Sequence, residues 1–421
     1  MGTMKLKCLE CGEEYAGFKL SCDHSCDSLL RSQYQKKCFE PGSDNSIFKF
    51  IDWLPIESKL ETSIGPIVFK SEKFSKKLDL AHLYIAFNGY WPEKGAGNMT
   101  GTFKDFEALP TLIYFLENGK KSIILSSAGN TARAFAYAAT LLDIDTYIVI
   151  PDRMLHRIWL PSDADSNRIH IIALKESCDY YQAIMLSNRI SRELNIESEG
   201  GAKNVARRDG LGTVILEAAR VIDKLPDHYF QAVGSGTGGI AAYEASLRLL
   251  QNEKFAGQKI PKLNLVQNAP FAPIYSAWAE GVKVQPEQNV EEQLLKISKM
   301  YADVLANRNP IFYPRGGVYD VLNQTDGKVY AVNNQEAIEA SKEFEALEGV
   351  DLDPGASVCT AALIKAVKNK IVRKDETILL NITGGGFKKI KRDYHCNSIE
   401  PEVIIDNCSN LKLETLIYKT I

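Results

Sequence analysis

Phe230-Gln231-Ala232-Val233-Gly234-Ser235-Gly236-Thr237-Gly238-Gly239-Ile240-Ala241 decides the fold. An apolar strand, His228 to Val233, runs into a glycine turn, and a helix from Ile240 to Leu250 follows. Glycines at such a junction let backbone N–H groups converge on an anion, and the helix start adds a favourable field. The stretch reads as a phosphate cradle. The bland alternative is a turn with no ligand, but so dense a glycine run carries an entropy cost that argues for a use. Gly234, Gly236 and Gly239 also fit GxGxxG. A dinucleotide site would want an acid ending the next strand. That strand ends Val266-Gln267-Asn268, and no lysine follows the glycines as a P-loop requires. The phosphate therefore belongs to something other than NAD or ATP.

Strand, turn and helix alternate outward from this point. Ser122–Ser126, Thr146–Ile150, Arg168–Leu174, Leu263–Val266 and Thr377–Ile382 read as strands. Ala132–Leu142, Tyr180–Leu194 and Thr213–Asp223 read as helices. This alternation predicts an α/β fold whose parallel sheets are covered on both faces. The 421 residues suffice for two or three domains or subdomains, and 45% hydrophobic with 24% charged residues is ordinary globular composition. Lysine plus arginine number 50 against 53 acids, a net charge of -3, so neither a nucleic-acid nor a membrane surface is implied. No apolar run is long enough to span a bilayer. Met1–Lys7 lacks an apolar signal core, so a cytoplasmic location is expected. Nine cysteines, an odd number, argue against a disulfide framework.

Three further stretches carry candidate chemistry. Lys104 stands at or just before a helix whose apolar residues Phe106, Leu109, Ile113 and Leu116 recur at helical steps. A cation there opposes the helix dipole, which disfavours its protonated form. A neutral amine is what Schiff-base chemistry needs, although a solvated surface lysine is the commoner reading of any one lysine. Ser126-Ser127-Ala128-Gly129-Asn130-Thr131 joins a strand to a helix and could bind a carboxylate. Plain N-capping is the alternative. Thr383-Gly384-Gly385-Gly386 ends a buried strand, where ligands sit in open α/β sheets. At the N-terminus, Cys8, Cys11, Cys22 and Cys26 form CxxC followed by CxxxC. They could hold a zinc ribbon, with His24 as a spare ligand, or form a degenerate ribbon without metal. The segment reads as an appendage, joined to the rest by a linker and docking stretch from about Lys36 to Pro66.

The order and spacing of these motifs resemble the pyridoxal-phosphate enzymes of the tryptophan-synthase-β fold, and within them the threonine synthase family. Phe103-Lys104-Asp105, Ser127-Ala128-Gly129-Asn130-Thr131, Glu199-Gly200-Gly201-Ala202-Lys203-Asn204 and Arg207-Arg208-Asp209-Gly210 carry the likeness. That family usually continues its lysine with Asp-Arg and a small residue. Here Lys104-Asp105 is followed by Phe106-Glu107-Ala108. Together with Gly129-Asn130-Thr131-Ala132-Arg133-Ala134-Phe135, this resembles the cysteate synthases of methanogenic archaea, a branch of the threonine synthase family.

The resemblance implies fold type II with two parallel-sheet α/β domains and a cysteine-rich ribbon-like N-terminal segment. It places the extension and linker at residues 1–60, a large domain at 61–120 with 200–421, and a small domain at 121–199. It implies pyridoxal 5'-phosphate held by Lys104, with its phosphate on Gly234, Ser235, Gly236, Thr237 and Gly238. Asn130 would face the ring oxygen and Thr383 the ring nitrogen, where a hydroxyl rather than a carboxylate favours prompt β-elimination. O-Phospho-L-serine and sulfite would be converted to L-cysteate and phosphate, for coenzyme M biosynthesis. Ser127, Ala128, Gly129 and Thr131 would hold the substrate carboxylate, and Lys104 would move the Cα proton. Arg133, Lys203, Arg207 and Arg208 are the candidates for the oxyanions, with Arg315 as an outsider. A homo-oligomer is expected. The rivals are threonine synthase acting on O-phospho-L-homoserine, a cysteine synthase using sulfide, a NAD-binding oxidoreductase and a binding protein with a relic site.

Overall fold

The structure, a computed structural model, describes residues 4–127, 129–175 and 179–406. Two sheets dominate it. The larger has six strands in the order Lys328–Val332, Lys262–Asn268, His228–Ala232, Thr377–Ile382, His82–Phe87 and Ile67–Lys70. All neighbours are parallel except the last pair. The smaller has five parallel strands in the order Glu197–Ser198, Ser122–Ser126, Asp145–Pro151, Ile169–Leu174 and Val403–Ile405.

Alternation along the large-sheet strands divides the apolar residues between two cores, because successive side chains point to opposite faces. Tyr229, Leu263, Leu265 and Leu379 enter one core with the helices Asp105–Glu117, Val205–Ile222 and Thr237–Leu249. Phe230, Val266, Ile378 and Leu380 enter the other with Asn334–Glu348 and Pro354–Lys368. The small sheet gives Ile124, Val149 and Ile172 to a third core under Tyr180–Leu194. Its other face gives Ile123, Leu125, Ile148 and Ile171 to the first core. One continuous apolar core therefore joins the two sheets.

The expected N-terminal appendage belongs to that core. Met4–Cys8, Glu14–Tyr15 and Leu30–Tyr34 form a three-stranded antiparallel sheet. Leu6, Cys8, Cys22, Leu29 and Leu30 are buried in the shared core. Phe18 meets Phe115 edge-on, with ring centroids 4.8 Å apart. Tyr34 donates to Asp209 at 2.7 Å, and Arg248 donates to Ser32 at 3.1 Å. The ribbon is thus docked on the helices that lead to the site. The 36–66 stretch likewise docks, burying Ile47, Phe48, Phe50 and Trp53.

The chain's return differs from the expected tail of the large domain. Cys396–Ser398 pairs with Trp159–Pro161 in a separate two-stranded sheet, and Val403–Ile405 joins the smaller sheet beside Ile169–Leu174. Residues 407–421 lie outside the described residues.

Candidate active site

The C-terminal ends of strands from both sheets border one cavity of ≈ 620 Å³. Ser122–Ser126 delivers Ser127, His228–Ala232 delivers Gly234, and Thr377–Ile382 delivers Thr383. The loop before Lys104 is tied to the last of these. The Phe103 N–H donates to the Thr383 carbonyl at 2.9 Å, and the Gly385 N–H to the Gly101 carbonyl at 2.9 Å. This pairing puts Lys104 and Thr383 on the same cavity wall. Lys104 lines it as the residue that starts the helix Asp105–Glu117, as its sequence position suggests.

Lys104 is no surface lysine. Its side chain is 21% exposed, and Nζ lies 3.0 Å from Glu107 Oε2. Burial pushes the Lys104 amine below its usual range, and Glu107 restores part of the shift. Glu107 Oε1 also accepts from Thr131 Oγ1 at 3.0 Å and from Arg207 Nη2 at 2.9 Å. Arg207 Nη1 reaches both oxygens of Glu199, at 2.7 and 2.8 Å. Burial works against the charge on Glu107, but Arg207 and Lys104 outweigh it and hold the carboxyl below its ordinary value. Lys104, Glu107, Arg207 and Glu199 therefore form a network of balanced charge, the condition under which buried ions are tolerated.

Asn130 opens the helix Asn130–Ala139 and faces the cavity. Its orientation is fixed from both ends of its amide. Arg133 Nη2 donates to Oδ1 at 3.1 Å, and Nδ2 donates to Asp353 Oδ2 at 3.3 Å. Ser127 Oγ accepts from the N–H groups of Gly129 at 3.0 Å and Ala132 at 2.9 Å. Its oxygen therefore ties the turn to the helix start, whereas Asn130 and Thr131, the caps the alternative reading named, send their side chains to Asp353 and Glu107. Ala128, expected with this loop, lies outside the described residues.

The glycine turn has the shape a phosphate needs. Gly236 adopts φ 91°, and a Cβ there would lie 2.1 Å from Val318 Cγ2. A Cβ on Gly238 would lie 2.0 Å from Gln231 Nε2. No side chain fits, so the backbone stands open to the cavity at the start of the helix Thr237–Leu249. The Ser235 and Thr237 hydroxyls lie 2.8 Å apart beside it. A half-buried lysine of lowered basicity, a positioned amide and an anion cradle on one cavity fit pyridoxal phosphate.

The four candidate cations separate. Lys203 lines the cavity, is exposed, and has no ion-pair partner among the described residues. Arg207 lines it with both terminal nitrogens committed, while its buried Nε lacks an acceptor among the described residues. Arg208 points the other way. It is fully buried and bonds Glu244, Ala202 and the Leu30 carbonyl. Successive residues on a helix point about 100° apart, so Arg207 and Arg208 cannot share a face. Arg133 is also committed, to the carbonyls of Thr100 and Arg157 and to Asn130, and is absent from the lining. Arg315 bonds the ribbon backbone, away from the cavity. The structure thus corrects the substrate-facing placement expected for Arg208 and Arg133.

Cys8, Cys11, Cys22 and Cys26 come together, with all four Sγ atoms within 4.8 Å of one another. The His24 side chain is not part of the group; its backbone N–H donates to Cys22 Sγ at 3.5 Å. Several lining residues carried no sequence signal. Asp353 caps the helix Pro354–Lys368 away from any motif, and Leu20 and Ser21 come from the ribbon. Glu107 stood in the lysine motif but showed no role until the helix placed it beside Lys104.

Residues 87–384 match the family model described as pyridoxal-phosphate dependent enzyme. The chain is 49% identical over 409 residues to the cysteate synthase of Methanosarcina acetivorans, covering 97% of this chain and 98% of that one. It is 48% identical over 418 residues to that of Methanosarcina mazei, covering 99% and 100%. Against that of Methanocella paludicola it is 44% identical over 430 residues, covering both chains fully. Among solved structures, a pyridoxal 5'-phosphate-dependent aspartate racemase superposes with TM-score 0.60 at 16% identity, covering 77% of this chain and 92% of that one. Maize serine racemase gives 0.58 at 18% identity, covering 78% and 93%. These two show a shared fold.

Proposed function

The chain belongs to the pyridoxal-phosphate-dependent enzymes and, within them, to the cysteate synthases, and from that membership we infer its reaction. It replaces the phosphate of O-phospho-L-serine with sulfite, giving L-cysteate and phosphate. The observation that carries this reading is the placing of Lys104, the glycine cradle and Lys203 on one cavity. The reaction needs a covalent anchor, a cofactor phosphate site and a cation for an oxyanion.

The bound cofactor supplies an electron sink for the bonds at the substrate α-carbon. We assign the rest to side chains of this chain. Lys104 would anchor the cofactor and then carry the Cα proton at Nζ, and its lowered basicity supports that role. Asn130, clamped by Arg133 and Asp353, would present its amide to the ring. Gly234 to Gly238 would hold the cofactor phosphate, and Thr383 would meet the ring nitrogen. Thr131 is tied to Lys104 through Glu107, which links the carboxylate turn to the proton carrier. Lys203, and the Arg207 Nε left without an acceptor, support binding of the leaving phosphate or the entering sulfite.

We also propose that residues 61–120 with 200–395 form the large domain and 121–199 with 396–406 the small one. From the resemblance alone we keep a cytoplasmic homo-oligomer, which sedimentation velocity would test for assembly. The decisive experiment on the reaction is phosphate release by the cofactor-loaded chain. Release from O-phospho-L-serine that depends on sulfite, with cysteate formed, is expected. Release from O-phospho-L-homoserine alone would make the chain a threonine synthase and overturn the reading.

A further inference from the structure

We propose that Cys8, Cys11, Cys22 and Cys26 hold one zinc ion, and that this ion fixes the loop carrying Leu20 and Ser21 as a wall of the cavity. The donor set comes first. A tetrahedral zinc with four thiolates at ~2.3 Å has sulfur–sulfur edges of about 3.8 Å. Here Cys11 and Cys22 Sγ lie 3.6 Å apart, and all four sulfurs fall within 4.8 Å. Each cysteine is a free thiol. Cys8 ends the strand Met4–Cys8 and Cys11 lies in the turn after it, where the Gly12 N–H, at φ 80°, donates to the Cys8 carbonyl at 3.1 Å. The other two flank a turn in which Ser25 adopts φ 55°. The surrounding donors suit thiolates. Ser28 Oγ lies 3.1 Å from Cys8 Sγ, and Tyr15 Oη lies 3.2 Å from Cys22 Sγ. Four sulfur ligands close the coordination shell, so the ion is structural, and binding releases the thiol protons to solvent.

The second step is what the ion holds in place. Ser21 precedes the ligand Cys22 directly, and both Leu20 and Ser21 line the cavity. Leu20 presses on the loop that carries Glu199 and Lys203. A Cβ on Gly200 would sit 2.7 Å from Leu20 Cδ2. Glu199 in turn braces Arg207. Between Gly17 and Cys22 the chain has no regular secondary structure, so the metal ligands are its nearest covalent anchor. This inference does not depend on which reaction the cavity performs.

The test uses the full chain loaded with pyridoxal phosphate. Elemental analysis should give about one zinc per chain. Cys11→Ser, at the exposed ligand, should lower it at least about tenfold. Hydrogen exchange at residues 198–204 should then quicken, while the distant helix Pro354–Lys368 keeps its protection. If that variant does not fold, mercurial titration of the native chain should release about one zinc per four thiols modified. A native chain with less than about a tenth of a zinc, or with iron in its place, overturns the metal assignment. Zinc loss with unchanged exchange at residues 198–204 overturns the wall.

Discussion

Glu107 Oε2 accepts a hydrogen bond at 3.0 Å from Lys104 Nζ, three residues earlier in the chain. The same carboxylate takes Arg207 and Thr131 on its other oxygen. One acid thus braces the amine, the helix of Arg207 and the turn of Asn130. Phe106-Glu107, the pair that set this chain apart from the usual threonine synthase pattern, places that acid in the site.

Glu107→Gln keeps the shape and removes the charge. Among the described residues, Arg207 would retain only Glu199 as an anionic partner. The expected cost is about 3 kcal/mol in urea unfolding, the scale for breaking one partner from a buried ion network. The cofactor absorbance should persist, because Lys104 remains. The pH dependence has a defined sign. The folded pKa of Glu107 lies below its ordinary value of 4.5. Its contribution is therefore present above pH 4.5 and disappears as pH falls through the folded value. The stability gap between native chain and variant should narrow below that pH. A gap that stays constant with pH would exclude this network as its cause.

Asp105 titrates in the opposite sense. Burial pushes its carboxyl up from 3.8 to about 7, while the hydroxyl and N–H of Thr100 pull it back. A raised folded pKa means the native chain holds the proton more tightly than the unfolded one. That contribution is full below pH 3.8 and lost as pH rises through about 7. Asp105→Asn removes this titration. Relative to the native chain, the variant should gain on the order of 4 kcal/mol between those limits, at ~1.4 kcal/mol per unit. Unfolding at a series of pH values measures it, and parallel curves for the two chains would refute the assignment.

Lys203 and Arg208 should part company by phenotype. Lys203→Ala should raise KM for O-phospho-L-serine about tenfold, which is ~1.4 kcal/mol, and leave the unfolding midpoint unchanged. Arg208→Ala leaves the buried Glu244 with Arg31 alone as its cation. It should lose about 3–5 kcal/mol of stability. A stable Arg208→Ala chain with raised KM would return Arg208 to the cavity.

Gly238→Ala tests the cradle. The new methyl would meet Gln231, whose Oε1 is held by Tyr229 at 2.6 Å and by Asn381 at 3.2 Å. Gln231 cannot swing away without leaving the buried Tyr229 hydroxyl without that acceptor. Pyridoxal phosphate affinity should fall about 100-fold, ~2.7 kcal/mol, in an absorbance titration. Unchanged affinity would move the phosphate site elsewhere.

The sequence made the strand ends legible because their apolar runs are uninterrupted. Ser122–Ser126 and Thr377–Ile382 have the expected bounds, as does the helix Tyr180–Leu194, which carries a capping box from Asp179 and Gln182. The apolar period marks the helix Val205–Ile222 only from Thr213. Arg207, Arg208, Asp209, Gly210 and Gly212 break its apolar period, since their charges pair inside the protein rather than face water. The strands His82–Phe87 and Lys328–Val332 and the helices Asn334–Glu348 and Pro354–Lys368 carry weaker sequence signals than the glycine motifs. The cations of the site were half legible. Residue type named them, but only helix phase separates Arg207 from Arg208, and only packing turns Arg133 inward.

Gly210 explains how the two helices of the site come close enough to share Glu107 and Arg207. Pro110 sits inside the helix Asp105–Glu117 and has no N–H to give the Phe106 carbonyl. Gly210 lies against that carbonyl. A Cβ there would be 1.9 Å from Phe106 O and 2.7 Å from Pro110 Cγ. Backbone rather than a flexible side chain blocks the methyl, so the helices themselves would have to separate. Separation stretches the 2.9 Å contact between Arg207 and Glu107 and unloads the brace on Lys104. Gly210→Ala should therefore cost about 3 kcal/mol, at the upper end for overpacking, despite the higher helix propensity of alanine. It should also lower kcat, because Lys104 loses its fixed position. Pro110→Ala should cost far less, since it restores a donor to the same carbonyl. If Gly210→Ala proves neutral in urea unfolding, the close approach of these helices is not what holds the site.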